Sequence, residues 1–284
     1  MGAPPPQPSP DGRGGNRENH SFNTAIIGAG YAGMAAAVTL AANNIPVTVF
    51  ESSQQLGGRA RGVIYNDTQL DNGQHILLGC YHHTLALIEQ VGGNLQHDFQ
   101  RLPLQLTLHN HFELKAPRLP APLHLLLGLL FAQGLSFSAR LRAARFMLAM
   151  RSNHFILPTR ERGARSESGN DISALELLKQ FNQDNDLIRL LWESICISAL
   201  NTPVHKASAQ VLLNVLRDSL NGTRADSDML LPRLDFSALF PDRAAKYITH
   251  RGGVFLFHAG LKPSFPMNRN LNSSQLRVRS ALTK

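Results

Sequence analysis

Residues 24–62 read TAIIGAGYAGMAAAVTLAANNIPVTVFESSQQLGGRARG, and this stretch decides the fold. The apolar run Ala25–Ile27 leads into Gly28-x-Gly30-x-x-Gly33, and a small-residue helix follows from Met34 towards Ala42. A second β-type run, Pro46–Phe50, ends on Glu51, with 17 residues between Gly33 and that acid. Strand, glycine turn, helix, strand and acid in this register form the βαβ fingerprint of an adenine-dinucleotide site. Gly28 permits the tight turn, Gly30 lets main chain approach a pyrophosphate, and Gly33 lets the helix pack on the strand. The helix N-terminus offers unbonded N–H groups and a partial positive charge to phosphate. Glu51 is placed to accept hydrogen bonds from a ribose, and its charge disfavours a 2′-phosphate, so NADP is not expected. Three glycines alone would serve a structural turn equally well; the surrounding elements make the pattern specific.

The residues after the acid select the nucleotide. Leu56-Gly57-Gly58-Arg59-Ala60-Arg61 has no use in a domain that binds only NAD. It resembles the Gly-Gly-Arg stretch of FAD-dependent amine oxidases and carotenoid desaturases. The resemblance implies that Gly57 and Gly58 pass close to the cofactor and that Arg59 meets the diphosphate. Arginine suits that role because its planar fork donates two parallel hydrogen bonds to phosphate. Without the resemblance, Arg59 and Arg61 are two solvated loop cations. Leu70-Asp71-Asn72-Gly73-Gln74-His75 comes next, then Leu78-Gly79. In the same flavoproteins an Asp-x-Gly segment here runs beside the isoalloxazine ring, which adds Asn72, Gly73 and Gln74 to the cofactor set. FAD is the cofactor implied.

Bulk properties fit an enzyme of the cytoplasm or of a membrane's inner face. A chain of 284 residues is long enough for one large or two modest domains. Cys80 and Cys196 stand far apart without CxxC spacing, so neither a disulfide framework nor a zinc site is suggested, and both read as small buried hydrophobes. His82-His83 and His109-x-His111 have no carboxylate or cysteine at ligand spacing, read as solvated, and give no metal site. The net charge of +8 falls to +3 once the five cations Lys262, Arg269, Arg277, Arg279 and Lys284 of an acid-free C-terminal stretch are set aside. The basicity is therefore mostly a tail property, and no nucleic-acid partner is expected. Residues 1–22 are rich in Pro and Gly and lack an apolar core, so they are expected to be a disordered leader and not a secretory signal.

Periodicity places the rest coarsely. Thr84–Val91 is a short helix ended by Gly92-Gly93, and Leu104–Leu108 with His111–Leu114 forms a hairpin around Asn110. The leucine-rich run Leu123–Leu135 is too short to span a bilayer, which takes ~20 apolar residues. Ser138–Met150 is a helix with Arg140, Arg142, Arg145 and Arg151 set against Leu141, Phe146, Met147 and Met150. Such a helix suits a membrane interface, and suits equally an ordinary buried helix with a charged outer face. Residues 159–170 form a surface loop, after which Asp171 caps Ile172–Phe181 without a strict capping box. Asn201-Thr202-Pro203 is a helix stop. The expected fold is α/β: a Rossmann-like FAD-binding domain with an inserted, mostly helical substrate domain (α+β). Its segments are a leader 1–22, FAD-binding residues 23–103, the substrate domain 104–227, a second FAD-binding segment 228–258 and a basic tail 259–284.

Residues 186–253 narrow the resemblance. Leu191-Trp192, Ala199-Leu200-Asn201-Thr202-Pro203, Ala207-Ser208, Asp228 through Leu231-Pro232, Leu239-Phe240-Pro241 and Gly252-Gly253 are similar to the hydroxysqualene dehydroxylases, the squalene-associated FAD-dependent desaturases. That resemblance, covering residues 24–253, implies an oxidoreductase of squalene and hopanoid biosynthesis. Its substrate would be a C30 isoprenoid alcohol whose allylic hydroxyl is replaced by flavin hydride, and its partners would include other enzymes of the squalene pathway. His75 is the candidate proton donor, because imidazole titrates near working pH; the bland alternative is a hydrogen bond to the loop or cofactor. Asp71 is read as a turn stabiliser and Trp192 as a packing residue at the substrate-domain interface. Two other readings stay open: a phytoene or carotenoid desaturase, and an inactive FAD-binding fragment. Such flavoproteins return to the nucleotide domain through a later Gly-Asp segment, which the sequence after Gly253 does not contain. The expectation is of a C-terminally truncated or frame-shifted form.

Overall fold

The fingerprint folds as strand β1 (Thr24–Ile27), helix α1 (Tyr31–Ala42) and strand β2 (Val47–Glu51), with β1 and β2 parallel and Ile26 opposite Val49. The computed structural model describes residues 24–73, 75–157, 171–220 and 222–257. The leader 1–22, Gln74, the loop 159–170 and the tail 259–284 lie outside them. Helix α1 buries Met34, Ala37, Val38 and Ala41, an i, i+3, i+4, i+7 stripe of mostly small side chains that lets it lie close on the sheet.

The chain then forms a hairpin, β3 (Gly62–Tyr65) and β4 (Thr68–Asp71). Asn66 and Asp67 turn it, both at positive φ, as a two-residue hairpin turn requires. Next come β5 (Leu77–Leu78), α2 (His82–Gln90), α3 (Leu95–Asp98) and β6 (Phe99–Leu102). A second hairpin, β7 (Gln105–Leu108) and β8 (Phe112–Lys115), opens the helical unit. That unit holds α4 (Leu123–Leu130), α5 (Phe137–Ser152), α6 (Ala174–Gln180) and α7 (Asn185–Leu187). A π-helical turn, Ile188–Trp192, joins α7 to α8 (Glu193–Leu200), and α9 (Ala209–Leu220) follows. The return path is α10 (Arg224–Ser227), β9 (Met229–Pro232), α11 (Phe236–Leu239), α12 (Pro241–His250) and β10 (Val254–Phe257).

Strand β10 pairs parallel with β2, so the nucleotide sheet runs β1-β2-β10. Strand β9 lies between β5 and β6, antiparallel to both, and this small sheet adds Leu77, Phe99 and Leu230 to the first of two apolar cores. One core packs α1 and α12 on β2 with Phe236 and Phe240; the other gathers Phe146, Leu177, Trp192, Leu212 and Leu216 between the helices. The outcome is the expected α/β dinucleotide fold bearing a helical unit. One face of the parallel sheet, the rows Ala25–Thr48–Val254 and Ile27–Phe50–Leu256, has four exposed members, with Ile27 77% exposed. The opposite row, Ile26–Val49–Phe255, packs into the core beneath the helices.

Several local expectations need correction. Ser173, not Asp171, caps α6, and a strict capping box is present: Glu176 N–H donates to Ser173 Oγ (3.2 Å) and Ser173 N–H donates to Glu176 Oε2 (3.0 Å). Asp171 instead accepts from Gln210 N–H at 3.3 Å. The Leu123–Leu135 run, by contrast, is interrupted as expected: it is helical to Leu130, and Gln133 then exchanges main-chain hydrogen bonds with Glu113. Cys80 is half-buried, while Cys196 is fully buried. His82 is exposed but not simply solvated, since Nε2 lies 3.1 Å from Asp226 Oδ1. Trp192 packs within the helical core, edge-on to Phe146, and its indole N–H donates to Gln183 Oε1 at 3.0 Å.

The nucleotide unit is pinned by one buried ion pair. Asp98 is 1% exposed and takes both ends of the Arg243 guanidinium, tying α3 to α12, while Asn94 N–H donates to it at 3.0 Å. The arginine hydrogen bond holds the Asp98 carboxyl down at about 2 despite burial. Asp98→Ala should therefore cost about 2–3 kcal/mol in urea unfolding, below the fully buried limit because Arg243 keeps some water contact. The stabilisation is present above the ordinary aspartate value and is lost as pH falls towards 2, so the wild type should lose more stability than the variant across that window.

Candidate functional site

The glycine turn is built by contact, not by composition. Gly28 leaves β1 at φ +92 and its N–H donates to Phe50 O at 2.7 Å. A Cβ at Gly33 would stand 2.0 Å from the Gly28 carbonyl oxygen, so helix and turn can meet only through glycine. Gly30 caps α1 without a side-chain hydrogen bond, and the first turn carries no acid. Its amides are thereby left to an external anion.

Gly57 and Gly58 lie across this turn. Gly57 N–H donates to Ala29 O at 2.8 Å, and a Cβ at Gly58, where φ is +61, would come within 3.2 Å of Gly30 Cα. The second glycine pair thus packs loop on loop. Glu51 closes the cradle: Ala29 N–H donates to Oε2 at 2.7 Å and Ser53 N–H to Oε1 at 2.8 Å. A carboxylate has about four acceptor positions, so ribose hydroxyls can still be received. Burial works to raise the Glu51 pKa, but the Ser53, Ala29 and Ser52 hydrogen bonds outweigh it and leave it below the ordinary glutamate range. Glu51→Ala is expected to cost about 2–3 kcal/mol of stability, from two hydrogen bonds to a charged acceptor. That contribution is present above the ordinary glutamate pKa and disappears as pH falls through the lowered one; a urea series from pH 7 to pH 3 reads it.

Asn72 and Gly73 stand beside the cradle. Asn72 N–H donates to Arg61 O at 2.8 Å and its Nδ2 to Arg59 O at 3.2 Å. Asp71 Oδ1 accepts from Phe236 N–H at 2.7 Å and so holds the start of α11. Phe236 O in turn accepts from the Tyr31 hydroxyl at 2.7 Å, and the His75 ring lies 4.6 Å from the Phe236 ring, centroid to centroid. Burial, followed by Asp71, Asp235 and Asp242, pushes the Tyr31 pKa up, so it remains a neutral donor. The Arg59 side chain is exposed and makes no hydrogen bond among the described residues, whereas Arg61 reaches Ser53 Oγ at 3.3 Å.

The set Gly28, Gly30, Gly33, Glu51, Gly57 and Gly58 is therefore assembled in one place, with Asn72, Gly73 and His75 on its rim and Gln74 outside the described residues. Two buried polar atoms on these segments have no hydrogen-bond partner among the described residues, Arg61 Nε and His75 Nδ1. Buried orphans are uncommon in folded proteins, and an anionic dinucleotide with a hydrogen-bonding ring supplies what both lack. The residues fit FAD. Tyr31, Phe236 and Ser237, whose Oγ accepts from Gly62 N–H at 3.0 Å, were not singled out from sequence. The signal available was Asp235, the N-cap of α11.

An apolar cavity of about 490 Å³ adjoins this rim at Ile76, the neighbour of His75. The volume falls within the roughly 300–1,000 Å³ of small-molecule sites. Leucines of β7, β8, α4 and α9 line it, with Met147, Trp192 and Met229, and Arg151 is its one charged wall residue among the described residues. The π-helical turn presents Leu191 and Trp192 to the cavity, a geometry often found at functional sites. Behind α4, buried His124 Nε2 lies 2.9 Å from Ser227 Oγ, and the next residue, Asp228, is paired with Arg101 and Arg224. Burial, then Arg224, lowers the His124 pKa, so this link between cavity wall and return segment is neutral.

Comparison with known proteins agrees with this geometry. The pattern of the family described as flavin containing amine oxidoreductase matches residues 31–218. A hydroxysqualene dehydroxylase of Zymomonas mobilis is 28% identical over 249 residues, covering 81% of this chain and 51% of the relative, so the chain spans about half that protein's length. A zeta-carotene desaturase of Synechocystis is 34% identical over 91 residues, covering 32% of this chain and 17% of the relative. Among solved structures, an oxidoreductase from Methanosarcina mazei superposes with a TM-score of 0.56 at 18% identity, over 84% of this chain and 51% of that one.

Proposed function

The chain belongs to the family of flavin-containing amine oxidoreductases and has its FAD-binding fold, and from that premise we propose that it acts on a long isoprenoid, replacing the allylic hydroxyl of a hydroxysqualene-type C30 alcohol by hydrogen. One observation carries the reading: an almost wholly apolar cavity opens beside the rim of the dinucleotide cradle. The similarity to a hydroxysqualene dehydroxylase over four-fifths of the chain supports the substrate class.

Bound FAD, when reduced, supplies the hydride that takes the place of the hydroxyl. The rest of the chemistry belongs to the chain. The cavity holds the hydrocarbon, and at ~0.8 kcal/mol per buried CH₂ even partial burial gives ample binding. His75 is the proton donor to the departing hydroxyl, which leaves as water. It is half-buried, lies tilted against the Phe236 ring and precedes the first cavity residue. The leucine walls exclude bulk water, so the allylic cation meets no competing nucleophile.

The zeta-carotene desaturase similarity supports a second reading, desaturation of a polyene precursor, but it covers only 32% of the chain. Anaerobic incubation of the full chain with FAD, dithionite and hydroxysqualene tests the first. Squalene formation is the expected result. Coloured polyene from phytoene under oxidising conditions would favour the second, and FAD binding with neither product would favour a flavin-binding fragment.

A further inference from the structure

We propose that the outer face of α5, with the turn that precedes it, docks on an anionic lipid bilayer and that the apolar cavity fills from that bilayer. The proposal rests on the cavity's being an isoprenoid site only for its purpose; its evidence is independent. Phe137, Leu141, Arg145, Leu148 and Arg151 fall at i, i+4, i+8, i+11 and i+14 of α5, the spacing of one helical face, and all are exposed. Phe137 is 70% exposed, and Phe131, at the other end of the same turn, is 75% exposed. A solvated helix face would carry polar groups at these positions; bulky apolar side chains interleaved with arginine are what an interfacial helix presents.

The charge is one-sided. Residues 116–157 contain Arg118, Arg140, Arg142, Arg145 and Arg151 and no aspartate or glutamate. Arg142 is taken by Asp184, and Arg140 donates to the main-chain oxygens of Leu135 and Leu130. Among the described residues Arg118, Arg145 and Arg151 meet no carboxylate, so their charge is available to an anionic surface. The same helix lines the cavity from within: Met147, Leu148 and Arg151 are wall residues, and Leu148 and Arg151 are at once exposed. A water-insoluble ligand would thus enter beside the arginines without crossing water. A protein partner would explain the apolar residues but not why exposed Leu148 and Arg151 also line the cavity, which favours the bilayer.

The test is co-sedimentation of the full chain with vesicles of phosphatidylcholine alone and of phosphatidylcholine with phosphatidylglycerol. Binding should require the anionic lipid. Phe137→Ser with Leu141→Ser should weaken it at least tenfold, and Arg145→Glu, which removes and reverses one charge, about 30-fold. Ile64→Ser with Tyr65→Ser, exposed apolar residues on the β3–β4 hairpin, should leave it unchanged. Circular dichroism and thermal melts confirm that each variant folds. Anionic binding that survives the α5 variants would overturn the proposal and point to another basic stretch, such as residues 259–284. A self-associated chain that the same variants render monomeric, with no vesicle binding, would overturn it in favour of a second copy. Turnover in detergent is read separately, so its loss speaks against the proposed reaction and not against docking.

Discussion

Alanine at position 33 is expected to abolish FAD retention. Its Cβ would stand 2.0 Å from the Gly28 carbonyl oxygen, a main-chain atom with no flexible side chain to yield. Helix α1 must therefore move off β1, taking with it the uncapped first-turn amides that would hold the diphosphate. Losing two hydrogen bonds to a charged group, at about 1.5–3 kcal/mol each, corresponds to a 10²- to 10⁴-fold loss of affinity. Overpacking should also cost roughly 1–3 kcal/mol of stability. Gly73→Ala makes the contrast: φ there is +93 but nothing lies within 4 Å of the new Cβ, so only the backbone strain of about 1 kcal/mol is expected. Quenching of flavin fluorescence on titration measures both variants. Equal affinity for wild type and Gly33→Ala would mean that the turn does not hold the diphosphate.

His75→Gln is expected to lower turnover of the hydroxylated isoprenoid by about 10²- to 10⁴-fold, the usual contribution of a positioned acid. FAD affinity should fall far less than turnover, because most of the cradle is main chain and Glu51 and His75 Nδ1 offers the cofactor a single contact. The imidazole is well situated to donate a proton, being half-buried with its ring centroid 4.6 Å from that of Phe236, and its buried Nδ1 has no partner among the described residues. Asp71 and Tyr31 hold Phe236 in place through its N–H and carbonyl, so they position His75 through that ring. Steady-state kinetics with the flavin saturated separates the two roles. A large fall in kcat marks a proton donor; unchanged kcat with weakened FAD binding would make His75 a cofactor contact.

The cradle was legible in sequence because its logic is local. Strand, turn, helix and acid follow one another within thirty residues, and each glycine's place is set by its near neighbours. The hairpin around Asn110 and the stop at Asn201, which takes the left-handed conformation at φ 49, were legible for the same reason. What sequence missed depends on distance. Asp71 meets Phe236 across 165 positions, and Asp98 meets Arg243 across 145. The α6 cap expected at Asp171 falls two residues later, on Ser173, and Gln210 from another helix claims the aspartate. The cavity was out of reach altogether: its walls come from residues scattered between Ile76 and Met229, and the π-helical turn that aims Trp192 at it is a product of packing. The leucine-rich 123–135 segment proves to be both core and wall, since Leu125 and Leu129 are buried and line the cavity together.

FAD titration of the full chain beside its Gly30→Ala variant tests the dinucleotide cradle most directly. Gly30 has an ordinary φ of −71, and a Cβ there would meet only Gly58 Cα, at 4.0 Å, so the fold should tolerate alanine with a stability change below about 1 kcal/mol. The added methyl would nevertheless intrude where phosphate approaches the turn. Saturable FAD uptake by the wild type, weakened at least tenfold in the variant and unaffected by NADP, is the predicted result. No saturable uptake by the folded wild-type chain, or undiminished uptake by Gly30→Ala, would contradict it.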